Sequence, residues 1–204
     1  MPGGKLFVFE GLDGAGGETQ SKILREFLTK RGKECLTLKY PDYDAPIGKV
    51  IYDFLHKKVD FPADVQFVLY TVDFLKDRKR IRNAIKQNKI VVSDRYFTST
   101  IAYEVMKGFP LENGLKLAEI IDLPKPDLVV FLDISPETSI KRKLKEKTSL
   151  DRFEEDREFL KNVKDAYHNL IKNKVFAKEW VVIDGEKPIQ DVAKDVQKIV
   201  LKKF

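Results

Sequence analysis

Five short apolar runs recur along this chain with helix-length segments between them, and that alternation restricts the fold more than any other feature. The runs are KLFVFE near 5–10, CLTLKY near 35–40, KIVVSD near 89–94, DLVVFLD near 127–133 and EWVVID near 179–184. Several are continuously apolar, the pattern of strands covered on both faces in a parallel sheet. Between them, Val65, Val68, Leu69, Val72 and Leu75 follow i, i+3, i+4 spacing, as do Ile189, Val192, Val196, Ile199 and Val200; Pro188 suits the first turn of that last helix. Strands alternating with helices predict an α/β doubly wound fold: a five-stranded parallel sheet flanked by helices, with ligands beyond the carboxyl ends of the strands. With no internal repeat and no Pro/Gly/Ser linker, 204 residues are expected to form a single domain over 1–204.

The stretch from about 135 to 175 is too polar to be core throughout. It reads as two helices joined near KTSLD, and the segment at about 135–155 would serve as a helical lid. No apolar run approaches the ~20 residues that span a bilayer, and the N-terminus lacks a signal peptide's layout, so a cytoplasmic, non-membrane protein is expected. The lone Cys35 reads as a small core residue, and His56 and His168 as surface residues without metal spacing. A net charge of +6 favours anionic partners. Because the cations are scattered among 32 acids and no aromatic-basic motif appears, a nucleic-acid partner is not expected.

The first run leads into GLDGAGGETQS. A loop between strand and helix holds phosphate because its backbone N–H groups converge and the helix N-terminus adds partial positive charge. Gly11 and Gly16 match the spacing G-x-x-x-x-G-K-[ST], Gly14 completes the turn, and TQSKILREFLTKRG has the period of an amphipathic helix. Gly17 and Glu18 stand where Lys and Ser or Thr are usual. A gapped alignment would pair Thr19 with the hydroxyl; neither alignment supplies the Lys.

FEGLDGAG, then TQS, DRYFTSTIAYE, PKPDLVVFLDISPE and DRFE resemble, in order and over essentially the whole chain, the thymidylate kinases, P-loop enzymes that transfer a phosphoryl group from ATP to dTMP. The resemblance implies the P-loop kinase fold with a helical lid, ATP and dTMP as substrates, Mg²⁺ as cofactor and a homodimer, with the helices near 62–82 in contact. It implies that Asp13 faces the monophosphate substrate, that Asp94 supports Mg²⁺ through water, and that Arg95 reaches the acceptor and transferring phosphates. Ser99 and Tyr103 would line the thymidine pocket, and Tyr70 would stack on thymine. Arg142 would stack on adenine and Arg152 would meet the phosphates, with Lys141, Lys143, Lys145 and Lys147 available to close over ATP.

Four positions depart from the family. Besides Gly17 and Glu18, Tyr43 replaces an Arg that grips the dTMP phosphate, and Phe74 replaces an Arg that hydrogen-bonds thymine. A charge pair ~4 Å apart is worth roughly 4 kcal/mol at an effective dielectric of ~20, so exchanging Lys for a nearby Glu works against triphosphate. Three readings follow: an active dTMP kinase in which Glu18 joins Asp94 as a Mg²⁺ ligand, Thr19 donates to phosphate and lid cations substitute for Lys; a kinase of weak activity or broadened base selectivity; or a nucleotide-binding protein without catalysis. The retention of Asp13, Asp94, Arg95, Ser99, Tyr103 and Arg152 favours the first.

Overall fold

The computed structural model describes residues 3–146 and 150–204. Lys147 of the lid cluster lies outside the described residues. Each apolar run forms a strand: β1 (Lys5–Gly11), β2 (Cys35–Lys39), β3 (Ile90–Asp94), β4 (Leu128–Asp133) and β5 (Trp180–Asp184). All pair parallel, in the order β2-β3-β1-β4-β5. The expected five-stranded parallel α/β fold is therefore the one observed.

The central strands carry the core. Leu6 through Phe9 of β1 and Leu128 through Leu132 of β4 are fully buried, which explains their unbroken hydrophobicity. The edge strands β2 and β5 have only one buried residue each, Leu38 and Ile183. Cys35, at the start of edge strand β2, is accordingly half-buried instead of sitting in the core.

The helices are α1 (Gly17–Thr29), α2 (Pro46–Leu55), α3 (Ala63–Leu75), α4 (Arg78–Lys86), α5 (Phe97–Met106), α6 (Leu111–Ile120), α7 (Pro136–Glu146), α8 (Arg157–Lys172) and α9 (Ile189–Leu201). Among the described residues, no helix is long and apolar enough to cross a membrane. The chain leaves β1 through α1, crosses β3 to reach β2, returns to β3 and then crosses β1 to reach β4. These crossovers bring the loops after β1, β2 and β3 to one edge of the sheet. There Phe9 is in register with Asp94, and Asp94 with Lys39.

The helix α3 reverses a simple reading of its periodicity. Phe67 and Phe74 of its aromatic stripe are buried, whereas Val65 and Val68 of its aliphatic stripe are 42% and 50% exposed. Both faces of this helix are apolar, and spacing alone does not say which one packs inward against α5 and α2.

Candidate active site

Between Gly11 and Gly17 the chain turns sharply, with Gly16 at φ 97 where an L side chain would be strained. No side chain caps α1, which leaves its first backbone N–H groups available to an anion. The helix α7 braces this loop: Ser139 Oγ donates to the Asp13 carbonyl at 2.7 Å. Arg142 donates to the carbonyls of Gly14 and Gly185, at 3.0 and 2.9 Å. Thr19 is exposed in the first turn of the helix.

At Gly17 a Cβ would lie 2.2 Å from Asp94 Oδ1, the tip of a side chain that would have to turn aside to admit one. Glu18 turns toward the sheet edge and accepts from Lys39 Nζ at 2.6 Å, both groups being about half exposed or more. Burial pushes the Asp94 carboxyl up to about 6; the nearby charges of Arg95 and Lys39 oppose that shift, and those of Glu10 and Glu18 add to it. Sequence reading placed Glu18 and Asp94 together but missed Lys39, which stands at the end of the β2 run, where strand register decides its neighbours.

Arg95 directly follows β3 with φ 63, a rare conformation for a non-glycine residue, and its amide donates to the Phe9 carbonyl at 2.9 Å. Its guanidinium donates to Asp13 Oδ1 at 2.6 Å and to Ser99 Oγ at 3.3 Å, and lies 5.7 Å from the Tyr103 ring centroid. Burial disfavours the Arg95 charge, but Asp13, Tyr103, Tyr167 and Glu10 together more than restore it.

Beneath this group lies Glu10, a buried carboxylate for which sequence analysis proposed no role. It accepts from the Tyr96 amide at 3.1 Å, Thr98 Oγ1 at 2.6 Å and Tyr167 Oη at 2.8 Å, and also from Ser99 Oγ. Burial raises its pKa while the Arg95 charge lowers it. Glu10 thus joins β1, α5 and α8 under Arg95, and its signal was a charged residue at the end of an otherwise apolar strand.

A cleft opens beside Arg95. Asp13, Tyr43, Tyr70, Phe74, Ser99 and Tyr103, all assigned from sequence, line it together, and Tyr40, Pro41, Leu55, Thr100, Glu104, Asp151 and Phe153 complete it. Phe74 packs edge-on to Tyr40 with ring centroids 4.8 Å apart. Arg152 is not brought to the phosphate loop. Its guanidinium donates to the Phe54 and Val59 carbonyls and to Asp60, at 3.1, 3.2 and 2.9 Å, and lies over the Phe54 ring. Of the lid lysines, Lys143 pairs with Glu146, while Lys141 and Lys145 are exposed.

The site therefore joins a phosphate loop to a mostly aromatic cleft through one arginine. A family profile described as thymidylate kinase matches residues 9–196. The chain belongs to the thymidylate kinase family. A thymidylate kinase of Thermoanaerobacter sp. (strain X514) is 35% identical over 204 residues, covering 98% of each chain. A probable thymidylate kinase of Pyrococcus horikoshii is 30% identical over 203 residues, covering 97% of this chain and 96% of its own. The solved structure of thymidylate kinase from Candida albicans superposes with a TM-score of 0.79 at 25% identity, covering 98% of this chain and 92% of the other.

Within the thymidylate kinase fold, the four departures noted from sequence fall at two places. Gly17 and Glu18 open α1 beside Asp94 and Lys39, whereas Tyr43 and Phe74 belong to the cleft. Among the described residues, no group of three or more His, Cys, Asp or Glu side chains is placed to hold a metal alone. Two carboxylates fit Mg²⁺ if substrate phosphate and water complete its octahedron, and Glu18 lies close enough to Asp94 to act on its charge.

Proposed function

We propose that this member of the family transfers the γ-phosphoryl group of ATP to dTMP, giving dTDP and ADP. The observation that carries this reading is the Asp13–Arg95–Ser99 group, held over Glu10 between the phosphate loop and the cleft. Transfer between two anions depends on alignment and charge neutralisation, and Arg95 is the cation common to both compartments. An oxygen of the dTMP phosphate attacks the γ-phosphorus, the bond to the β–γ bridging oxygen breaks, and that oxygen departs with ADP.

In this reading the loop glycines and the α1 N-terminus cradle the ATP phosphates, Thr19 adds a hydroxyl, and Arg142 lies along the adenine side. Tyr70 stacks on thymine across from Phe74, Tyr103 packs at the sugar, and Tyr43 closes over the acceptor phosphate. Glu18 and Asp94 would hold Mg²⁺, which supplies charge neutralisation across the phosphates. Lys39 provides the positive charge that the loop lacks at Gly17. The α7 segment acts as a lid within a single domain, and a homodimer forms through the exposed valines of α3.

The test is direct: ADP formation measured with ATP, Mg²⁺ and a panel of nucleoside monophosphates, with dTDP identified by mass. Turnover with dTMP as the preferred acceptor is expected. No ADP formation with any monophosphate, despite measurable nucleotide binding, would replace the kinase by a binding protein of the same fold.

A further inference from the structure

Glu10 lies near the end of β1 and is 2% exposed, yet among the described residues its carboxylate accepts four hydrogen bonds, and they divide between its two oxygens. Oε1 accepts from the Tyr96 amide and Thr98 Oγ1, where the chain enters α5. Oε2 accepts from Ser99 Oγ and Tyr167 Oη. A hydroxyl has one proton to donate and two lone pairs. Because Ser99 directs its proton at Glu10, the same oxygen can only accept from its remaining neighbours, and Arg95 Nη1 donates to it at 3.3 Å. Asp13, the other partner of Arg95, is a different kind of anchor: it belongs to the phosphate loop and its side chain is 30% exposed, so substrate phosphates compete with it for the guanidinium.

We infer that Glu10 is a positioning residue for phosphoryl transfer: by accepting the Ser99 O–H it fixes that hydroxyl as an acceptor, which keeps the Arg95 guanidinium between loop and cleft when substrate phosphates draw it from Asp13. The inference rests on the proposed dTMP kinase reading. Glu10 does not line the cleft, so it acts through Ser99 and not on a substrate. Its two oxygens have separate tasks. The bonds at Oε1 tie β1 to the start of α5 and serve the fold, whereas Oε2 sets the direction of the Ser99 proton. An ionised carboxylate suits both tasks because it only accepts, and each of these four neighbours is a donor.

The informative variant is Glu10→Gln. The Tyr96 amide is a fixed donor, so the new carboxamide must turn its oxygen to that end and its NH₂ to Ser99, which reverses the hydroxyl and sets its proton against Arg95. Steady-state kinetics with ATP and dTMP should show kcat lower by roughly 10- to 100-fold, the range for a hydrogen bond to a charged group, with KM for ATP within about threefold. Thr98→Val removes a bond to Oε1 alone; it should lower the melting temperature and leave kcat within about threefold. Ser99→Ala deletes the link itself, so kcat should fall, and adding Glu10→Gln to it should change kcat by less than about twofold, because changes along one path do not add. If Thr98→Val slows turnover as much as Glu10→Gln, or if the losses from Glu10→Gln and Ser99→Ala multiply in the double variant, Glu10 supports the fold or acts by charge alone and the inference is overturned. Should Glu10→Gln fail to fold, Ser99→Ala decides: a kcat loss of about tenfold at unchanged KM for dTMP upholds the inference, and a kcat within about threefold of wild type overturns it. Absence of turnover with any monophosphate in the wild type removes the kinase reading and the inference with it, whereas wild-type kcat in a folded Glu10→Gln removes the inference alone.

Discussion

A Cβ at Gly17 would stand 2.2 Å from the Asp94 carboxylate, so restoring the lysine usual in such loops requires that carboxylate to turn aside. The compensating charge must come from elsewhere, and Lys39 is the cation whose field reaches Asp94 from β2. Replacing Lys39 with Met should raise KM for ATP about tenfold, the equivalent of ~1.4 kcal/mol, and leave KM for dTMP within about twofold. Equal effects on the two substrates would show that Lys39 serves only to pair Glu18. Asp94 itself carries a pH signature. Its carboxyl is raised from 3.8 to about 6, so the folded protein holds that proton more tightly than the unfolded chain. The cost of ionising it is absent below pH 3.8, grows as pH rises toward 6 and is constant above. At 1.36 kcal/mol per unit the full difference is about 3 kcal/mol, an upper bound once water reaches the site. Asp94→Asn should therefore stabilise the metal- and nucleotide-free protein by about 1–3 kcal/mol at pH 7.5 and by nothing measurable near pH 3.8, read from urea unfolding at each pH. These positions show what sequence makes visible. Asp13, Arg95, Ser99 and Tyr103 stand inside contiguous motifs, and the structure brings them to one cleft. Lys39 and Glu10 act through strand register and a buried hydrogen-bond hub, relations between distant segments that spacing along the chain does not encode.

At the scale of elements, the strands were legible because burial on both faces demands unbroken apolar runs, and β1 and β4 are buried in that way. Their order was not, since a run such as KIVVSD carries no mark saying that it lies between β2 and β1. The segment entering α8 shows the same limit. Arg152 was expected at the phosphates from its motif, yet it fastens this segment to the end of α2 and the following loop. The anchor sits beside Phe153, which lines the cleft and stacks on Phe159 at 4.8 Å. Cutting it should loosen the acceptor side more than the donor side. Arg152→Ala is expected to raise KM for dTMP about tenfold with KM for ATP changed by less than about threefold, a difference near 1 kcal/mol between the substrates. A larger loss in ATP affinity, with dTMP unaffected, would mean that Arg152 leaves the Phe54 carbonyl during the cycle and reaches the triphosphate.

For the whole molecule, α3 would link acceptor recognition to the proposed assembly. One side of the helix gives Tyr70 and Phe74 to the cleft; the other leaves Val65 and Val68 largely exposed, with Val72 half-buried on the same stripe. A row of valines facing water on a helix whose opposite face is core is the pattern of a surface that a second copy covers. Valine spacing alone pointed to the interior, because a helix apolar on both sides has no polar face from which its orientation can be read. If the proposed dimer forms here, each cleft is backed by a helix clamped in the interface. Val68→Asp would then place a charge at its centre, and light scattering should show a shift from twice the 23.6 kDa chain mass to a single chain. The same variant should bind dTMP more weakly while retaining ATP affinity, since α3 supplies Tyr70 and Phe74 to the acceptor cleft and no residue between Gly11 and Gly17. A wild type that is monomeric at micromolar concentration would remove the dimer. A monomeric Val68→Asp with unchanged dTMP affinity would keep the interface and remove its coupling to the cleft, leaving α2 and α5 as sufficient support for Tyr70 and Phe74.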